Sequence, residues 1–307
     1  MTERLHRPIL AIALRLAAAA LLAAQLALVK LTGEIGVSLP EIVFWRQAVA
    51  IPLIVAWVAA TGARPLLRTE RLWVHGRRAA LGICAIFLML GATLRLPLAE
   101  LTTLTFTGPL FAVALSALIL REPVGKYRWF AVALGFAGVA IVTQPWAESG
   151  GEPLSALGVA MASLAAMFHG LIAVQVRDLG RTEHPLTSVL YFSLFSMIPL
   201  VPLFVIYGSP HPPGVYAMLL AIGTLGLAVQ LALTAALRFA SVATVTPMDY
   251  SGLAWSALLG WLIWDHLPPL ATWLGAPLIV AAGLIVVWRE HVLARTPQKS
   301  AVLQPPV

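Results

Sequence analysis

The segment Ala92–Glu122, ATLRLPLAELTTLTFTGPLFAVALSALILRE, has a counterpart later in the chain. Shifted by 143 residues, it aligns with Ala235–Asp265, AALRFASVATVTPMDYSGLAWSALLGWLIWD, and seven of the 31 positions are identical. Glu122 falls opposite Asp265 in this alignment. Identities are easily found in an apolar sequence, so the weight of the match depends on where the two segments lie among the membrane spans.

The composition indicates a membrane protein. Of the 307 residues, 60% are hydrophobic and only 11% are charged, with a mean hydropathy of +0.90. A soluble domain carries roughly 25% charged residues, so this chain cannot cover a water-facing surface. The single cysteine, Cys84, excludes a disulfide within the chain and a cysteine-based metal site, and we expect neither a metal nor a cofactor. The first apolar stretch lacks a small-residue cleavage site before Lys30, which favours a retained helix over a signal peptide.

The apolar stretches predict ten transmembrane helices, since a bilayer core needs about 20 apolar residues per helix. They cover residues 9–31, 41–60, 77–94, 99–120, 127–146, 154–176, 187–207, 215–237, 242–264 and 270–288. Sixteen of the 20 Lys and Arg residues fall in alternate loops and termini on one side, while only Lys30 and Arg95 fall on the other. The positive-inside rule therefore predicts that both termini are cytoplasmic. The basic charge, placed in this way, does not indicate a nucleic-acid partner.

Ten spans divide into two sets of five around residues 144–153, QPWAESGGEP. The aligned segments then occupy helices three and four of the first set and helices eight and nine of the second. Because five is odd, the two sets insert in opposite directions, an architecture typical of secondary transporters. We therefore predict an all-α membrane protein of two inverted five-helix repeats, residues 1–150 and 151–307, the second ending in a short cytoplasmic tail.

Three longer segments resemble the EamA-type module of the drug/metabolite transporter superfamily. They are Leu21–Val55 (LLAAQLALVKLTGEIGVSLPEIVFWRQAVAIPLIV), with a Lys ending helix one and an Arg in helix two; Leu94–Val142, with the pair Glu122–Pro123; and Arg238–Glu290, similar to the second copy of the module. The chain departs from the family at Ala23–Ala24, where Trp-Gly is frequent. The resemblance implies ten helices, alternating access and export of small metabolites, often amino acids, including aromatic ones.

Charged residues within spans cost roughly 2.5–3.5 kcal/mol each, so each needs a reason. Arg15, two turns into helix one, is predicted to snorkel to the cytoplasm. Asp249 and His169 both lie about 10 Å from the cytoplasmic end of their helices, so they share a level. They could form a proton-coupling pair, or hydroxyls and carbonyls could satisfy each separately. Arg46, nearer the outside, either forms a structural salt bridge or lies beside the substrate path.

Other candidates for a substrate or proton site follow from the same segments. Pro247 predicts a kinked or discontinuous helix beside Asp249, and a stripe of small and polar residues there indicates close packing or a cavity wall. On helix four, Thr103 and Thr107 share a face, although threonines usually bond to their own helix. The remaining candidates, for which packing or interfacial anchoring is the alternative, are Tyr191, Gln230, Tyr250 and Trp255.

Three residues near the ends of spans are candidates for a gate or interface. Lys30, Glu122 and Asp265 could equally serve as an interfacial anchor, a loop ion pair and a helix cap, respectively.

The sequence predicts a transporter, most concretely an exporter of amino acids in the bacterial inner membrane, with small-molecule and lipid partners and with monomer or homodimer undecided. An enzyme is disfavoured because no His-Glu-x-x-His or Gly-x-Ser-x-Gly pattern occurs. A channel and a flippase for lipids or lipid-linked metabolites remain alternatives.

Overall fold

The computed structural model describes residues 8–62, 69–119, 125–144, 154–179, 183, 185–240 and 242–295, and no strand occurs among them. The helices are α1 (Pro8–Glu34), α2 (Leu39–Ala48), α3 (Ala50–Thr61), α4 (Leu72–Thr93), α5 (Leu98–Thr105), α6 (Gly108–Ile119), α7 (Lys126–Thr143), α8 (Ala156–Leu179), α9 (Pro185–Tyr207), α10 (Pro213–Phe239), α11 (Val242–Val245), α12 (Ser251–Trp264) and α13 (Leu270–Arg295), with a 3₁₀ turn, Thr246–Tyr250, between α11 and α12.

Every predicted span overlaps one helix or one run of helices. In the described part of the chain, eight stretches are long and apolar enough to cross a membrane, counting Leu39–Thr61 as one. The apolar part of α8, Ala156–Ile172, is shorter, and the predicted span 242–264 is divided by the 3₁₀ turn. An all-helical membrane protein is confirmed, and the count of ten spans stays a prediction.

Three of the predicted spans are interrupted. The run α2–α3 breaks at Val49, where Pro52 lacks the N–H that would continue the helix. The run α5–α6 breaks at Phe106–Thr107, just before Gly108–Pro109. The third interruption is the 3₁₀ turn that contains Pro247, as the proline predicts. In the 143-residue alignment, Phe106 and Thr107 fall opposite Asp249 and Tyr250, so the last two interruptions coincide.

The most extensive helix contacts join the two halves of the chain. They are α7 with α13, α1 with α10 and α4 with α8. The α7–α13 contact depends on glycine, because a Cβ at Gly138 would lie 2.8 Å from the Gly275 carbonyl oxygen, and one at Gly275 would lie 2.6 Å from that of Gly138. Such small residues let backbones approach closely where the hydrophobic effect between membrane helices is weak.

Buried apolar side chains form one large cluster and three small ones among the described residues. The large cluster joins α1, α2, α4, α5, α8, α9 and α10 and includes Leu26, Ile42 and Leu96. The small clusters are separate: one joins α6, α7 and α13, another α3 and α9, and the third α1, α10 and α11. Under the predicted topology, all three small clusters lie at the cytoplasmic ends of their helices.

Candidate substrate site

Asp249 forms a bidentate ion pair with Arg15 of α1. Arg15 Nε lies 2.5 Å from Oδ1, and Nη2 lies 2.6 Å from Oδ2. Such a fork satisfies both carboxylate oxygens at once. The two side chains are 14% and 32% exposed, so the pair is largely enclosed. The pair links the 3₁₀ turn, which lacks the regular hydrogen bonds of an α-helix, to α1.

This pair corrects one prediction and decides between two hypotheses. Arg15 does not snorkel, because its guanidinium turns to Asp249. His169 does not pair with Asp249 either: its Nδ1 lies 2.8 Å from the Ala165 carbonyl oxygen, one turn earlier on α8. Of the two hypotheses for His169, separate satisfaction by a carbonyl is the one the structure shows. Counting residues predicts the same depth for His169 and Asp249, but α1, not α8, packs extensively against the turn that carries Asp249.

Arg46 has no carboxylate partner among the described residues. Its Nη1 donates to Gln47 Oε1 at 3.3 Å, and its Nε is buried without an acceptor. Of the two hypotheses for Arg46, the structural salt bridge is therefore absent from the described part of the chain. Gln25 of α1 lies close by and donates to the Ile222 carbonyl oxygen at 2.8 Å.

Gly226 of α10 makes room for these two polar side chains. A Cβ at this position would lie 2.5 Å from Gln25 Nε2 and 3.4 Å from Arg46 Cγ. Any larger residue would therefore displace one of them. Gln230, half-buried, follows one turn later on the same helix.

His169 combines depth with accessibility. Protein surrounds its ring closely, and Arg46 is near enough for its charge to act on the imidazole. His169 is nevertheless exposed, while Ala165 and Ala166 beside it are 0% exposed. Crowding and accessible surface occur together when a side chain lines an internal space that solvent can enter. We therefore interpret His169 and Arg46 as candidates for the lining of a cavity within the helix bundle.

Tyr250, next to Asp249, packs between the two interrupted spans and α13. Its ring meets Phe106 edge to face at 4.9 Å, and its hydroxyl contacts Gly283, where a methyl group would collide with it. A second link between these spans is a 2.7 Å hydrogen bond between the hydroxyls of Thr102 and Ser256. These side-chain contacts therefore link the two interrupted spans to each other.

The predicted small-polar stripe faces inward. Gly252, Ser256 and Gly260 are the buried residues of α12, and Gly252 lies against α1 and α5. Trp255 is 42% exposed and shares the opposite, exposed arc with Leu258 and Leu262, which places it among apolar surface residues.

Three further candidates make their contacts away from His169. Thr103 and Thr107 are buried and donate to carbonyls of their own chain segment, those of Ala99 at 2.8 Å and Leu104 at 2.6 Å. Tyr191 stacks on His75 at 5.1 Å, between α9 and α4.

Two of the three candidate gate residues, Lys30 and Asp265, lie at the outer mouth under the predicted topology. Lys30 donates to the Leu96 carbonyl oxygen at 2.9 Å and lies over the Trp264 ring, whose Nε1 donates to Glu34 at 2.7 Å. These side chains line a cavity of about 240 Å³. Asp265 is exposed and ends α12 with a left-handed backbone, φ 52°. Glu122 lies outside the described residues.

Sequence reasoning missed two buried acids in the first turns of helices. Glu41 lies 3.1 Å from His211 Nε2, and Glu100 Oε1 accepts from Thr272 at 3.1 Å and lies 3.8 Å from His266 Nε2. Both carboxylates are 1% exposed. Each follows a proline at the start of a predicted span, a position whose burial the residue spacing alone does not reveal. Among the described residues, no group of three or more His, Cys, Asp or Glu could hold a metal ion.

Comparison with known proteins agrees with this architecture. The model of the EamA-like transporter family matches the chain twice, over residues 9–144 and 156–288. A riboflavin transporter of Vibrio cholerae is 31% identical over 83% of this chain and 85% of its own length. The pseudopaline exporter CntI of Pseudomonas aeruginosa is 30% identical over 82% and 88%, and an S-adenosylmethionine uptake transporter of Rickettsia prowazekii is 25% identical over 80% and 81%.

A solved crystal structure shares the fold, with a TM-score of 0.60 at 20% identity, covering 92% of this chain and 98% of the other. The resemblance seen in the sequence is thus confirmed, and the chain, a multi-pass membrane protein, belongs to the EamA-like transporter family.

Proposed function

We propose that this protein is a secondary transporter that carries a small organic metabolite across the bacterial inner membrane by alternating access. The observation that carries the proposal is His169, deep in the helix bundle yet accessible, beside an Arg46 that lacks an acidic partner. Intramembrane ionisable residues that face a cavity mark transport pathways more often than structural ones. The chain then needs no catalytic group.

The packing supports two inverted five-helix halves. Exchanging the halves turns the contact of α1 with α10 into that of α8 with α4, and it leaves the α7–α13 contact unchanged. All of these contacts are extensive, so the contact pattern has the symmetry that an inverted repeat requires. We accordingly retain residues 1–150 and 151–307 as the two repeats, with both termini in the cytoplasm.

The distribution of the apolar clusters supports a state open to the cytoplasm. Under this topology, most of the large cluster lies in the outer half and it reaches the cytoplasmic half at Ala79, Ile83 and Phe192, whereas the remaining cytoplasmic ends separate into three small clusters. A substrate would reach His169 and Arg46 between those three clusters.

The relatives divide on substrate and direction. Of the three relatives described above, one is named a riboflavin transporter, one a pseudopaline exporter and one an S-adenosylmethionine uptake transporter. Riboflavin, a neutral molecule, is one candidate substrate because two further relatives, from Rhizobium johnstonii and Brucella anthropi, are also named riboflavin transporters. Export of amino acids is the second candidate, because Arg46 offers a partner for a carboxylate.

Counterflow in proteoliposomes tests this proposal. Purified protein is reconstituted with unlabelled riboflavin, or with a mixture of amino acids, inside the vesicles, and uptake of the labelled compound is followed. A transporter gives transient, saturable accumulation above that of protein-free vesicles. Flux that never saturates would indicate a channel, and scrambling of labelled lipid without counterflow would indicate a flippase. Either result would overturn the proposal.

A further inference from the structure

Two arginines in the interior of the described chain, Arg46 and Arg78, have no carboxylate partner. Arg78 lies near the cytoplasmic start of its predicted span, where it donates to the Ser188 carbonyl oxygen at 2.7 Å and lies over the Phe192 ring. Asp249 is the acid that the sequence offers for a substrate ammonium group, but both of its oxygens are taken by Arg15. The other buried acids of the described chain, Glu41 and Glu100, face His211 and His266. Arg46 is left with the neutral amide of Gln47.

An unpaired guanidinium in this position requires a partner. A lone cation at membrane depth is costly, and no carboxylate among the described residues pairs with Arg46 to offset that cost. Arg46 Nη2 has no protein acceptor in the described chain, and the side chain is only half-buried. The planar end of a guanidinium is shaped for the two oxygens of a carboxylate or phosphate.

The surroundings of Arg46 are arranged to leave that end free. Gln25 is already committed to the Ile222 carbonyl, and Gly226 keeps α10 clear of both side chains. His169 contributes a second, different contact. Its Nδ1 lies at hydrogen-bond distance from a carbonyl oxygen, which only a protonated Nδ1 can satisfy, so Nε2 of the neutral ring is an acceptor.

We infer that the transported metabolite carries an anionic group, carboxylate or phosphate, which docks on Arg46, and a hydroxyl or N–H that donates to His169. This inference rests on the proposed function and selects its carboxylate-bearing candidate over riboflavin, which has no anionic group. A neutral metabolite would leave the Arg46 charge unpaired during transport, and a cationic one would be repelled by it.

Matched small probes test the charge directly. Benzoate and benzamide have nearly the same shape and differ in charge, while phenyl phosphate distinguishes phosphate from carboxylate. We expect benzoate or phenyl phosphate, at millimolar concentration, to raise the thermal stability of the purified full chain, and benzamide to raise it much less. Whichever anion gives the larger shift identifies the group.

Variants then assign the effect to Arg46. Arg46→Gln should abolish the difference between the charged and neutral probes, whereas Arg46→Lys should retain part of it. Arg95→Gln removes the same charge from an exposed loop position and should change nothing. Gly226→Ala keeps the charge but crowds Gln25 and Arg46, so it should weaken binding of the anion. If Arg46→Gln fails to fold, Arg46→Lys and Gly226→Ala still provide the comparison.

Three results would overturn the inference: an equal shift by benzamide, a shift that survives Arg46→Gln, or no shift by either anion. Counterflow of a neutral substrate with any of these results would leave the transporter proposal standing. Absence of counterflow together with an anion-induced stability shift that depends on Arg46 would overturn the transporter proposal and leave the anion site at Arg46 standing.

Discussion

Breaking the ion pair between Arg15 and Asp249 should be costly, and removing both partners should cost less than the sum of the two single removals. Two unit charges about 4 Å apart attract by about 4 kcal/mol at an effective dielectric constant of 20. Partial exposure, 14% and 32%, reduces that attraction by screening. We therefore expect a coupling free energy of about 2 kcal/mol, which is less than the cost of breaking a fully buried ion pair.

A double-mutant cycle measures this coupling. Asp249→Asn and Arg15→Gln should each lower the free energy of unfolding by about 2–3 kcal/mol, because each leaves a polar partner unpaired at depth. The double variant should lose about 2 kcal/mol less than the sum of the two. Unfolding by SDS in mixed micelles, followed by circular dichroism, gives the values. Asp265→Asn, at an exposed acid that ends α12, is the matched control and should change little.

Additive losses, within about 0.5 kcal/mol, would refute the reasoning that the two side chains stabilise the turn as a unit. Counterflow of the same variants separates structure from transport chemistry. If Asp249 serves only to hold the turn, the double variant regains transport that Asp249→Asn loses. If Asp249 also receives a proton or a substrate ammonium, the double variant remains inactive.

Two further predictions concern the cavity and the link between the interrupted spans. In a background without the native cysteine, His169→Cys should react roughly tenfold or more faster with a water-soluble thiol reagent than Ala166→Cys, which is 0% exposed; equal rates would contradict an accessible cavity. Thr102→Val should lower the free energy of unfolding by about 1–3 kcal/mol, because it leaves the Ser256 hydroxyl buried without its partner. Thr224→Val, at an exposed hydroxyl that bonds to its own helix, should cost under about 0.5 kcal/mol and so serves as the control.

Features that depend on hydropathy and backbone chemistry were predictable from the sequence. Apolar length gave the helices, and the missing N–H of Pro247 gave the interruption beside Asp249. Spacing along α12 also predicted that Gly252, Ser256 and Gly260 would be buried together. These properties follow from a residue and its neighbours in the chain.

Partners across helices were not predictable in the same way. Counting residues fixes the depth of a side chain in the membrane, and Asp249, His169 and Arg15 lie at comparable depths by this count. Depth gives no information on which helix is adjacent, so the arithmetic allowed His169 as a partner when Arg15 was the one in contact. To predict that Arg15 faces an interrupted helix and not the bilayer, one would have needed to know how the helices pack.

The two coincident interruptions explain why the site is asymmetric although the chain aligns with itself. The repeat places Phe106 opposite Asp249, so an apolar ring occupies one break and a carboxylate the other. The carboxylate requires a cation from a neighbouring helix, and Arg15 supplies it. The aromatic ring requires none, and it packs against Tyr250 from the other break. The two aligned interruptions thus differ in their chemistry, because one holds an apolar ring and the other holds an ion pair.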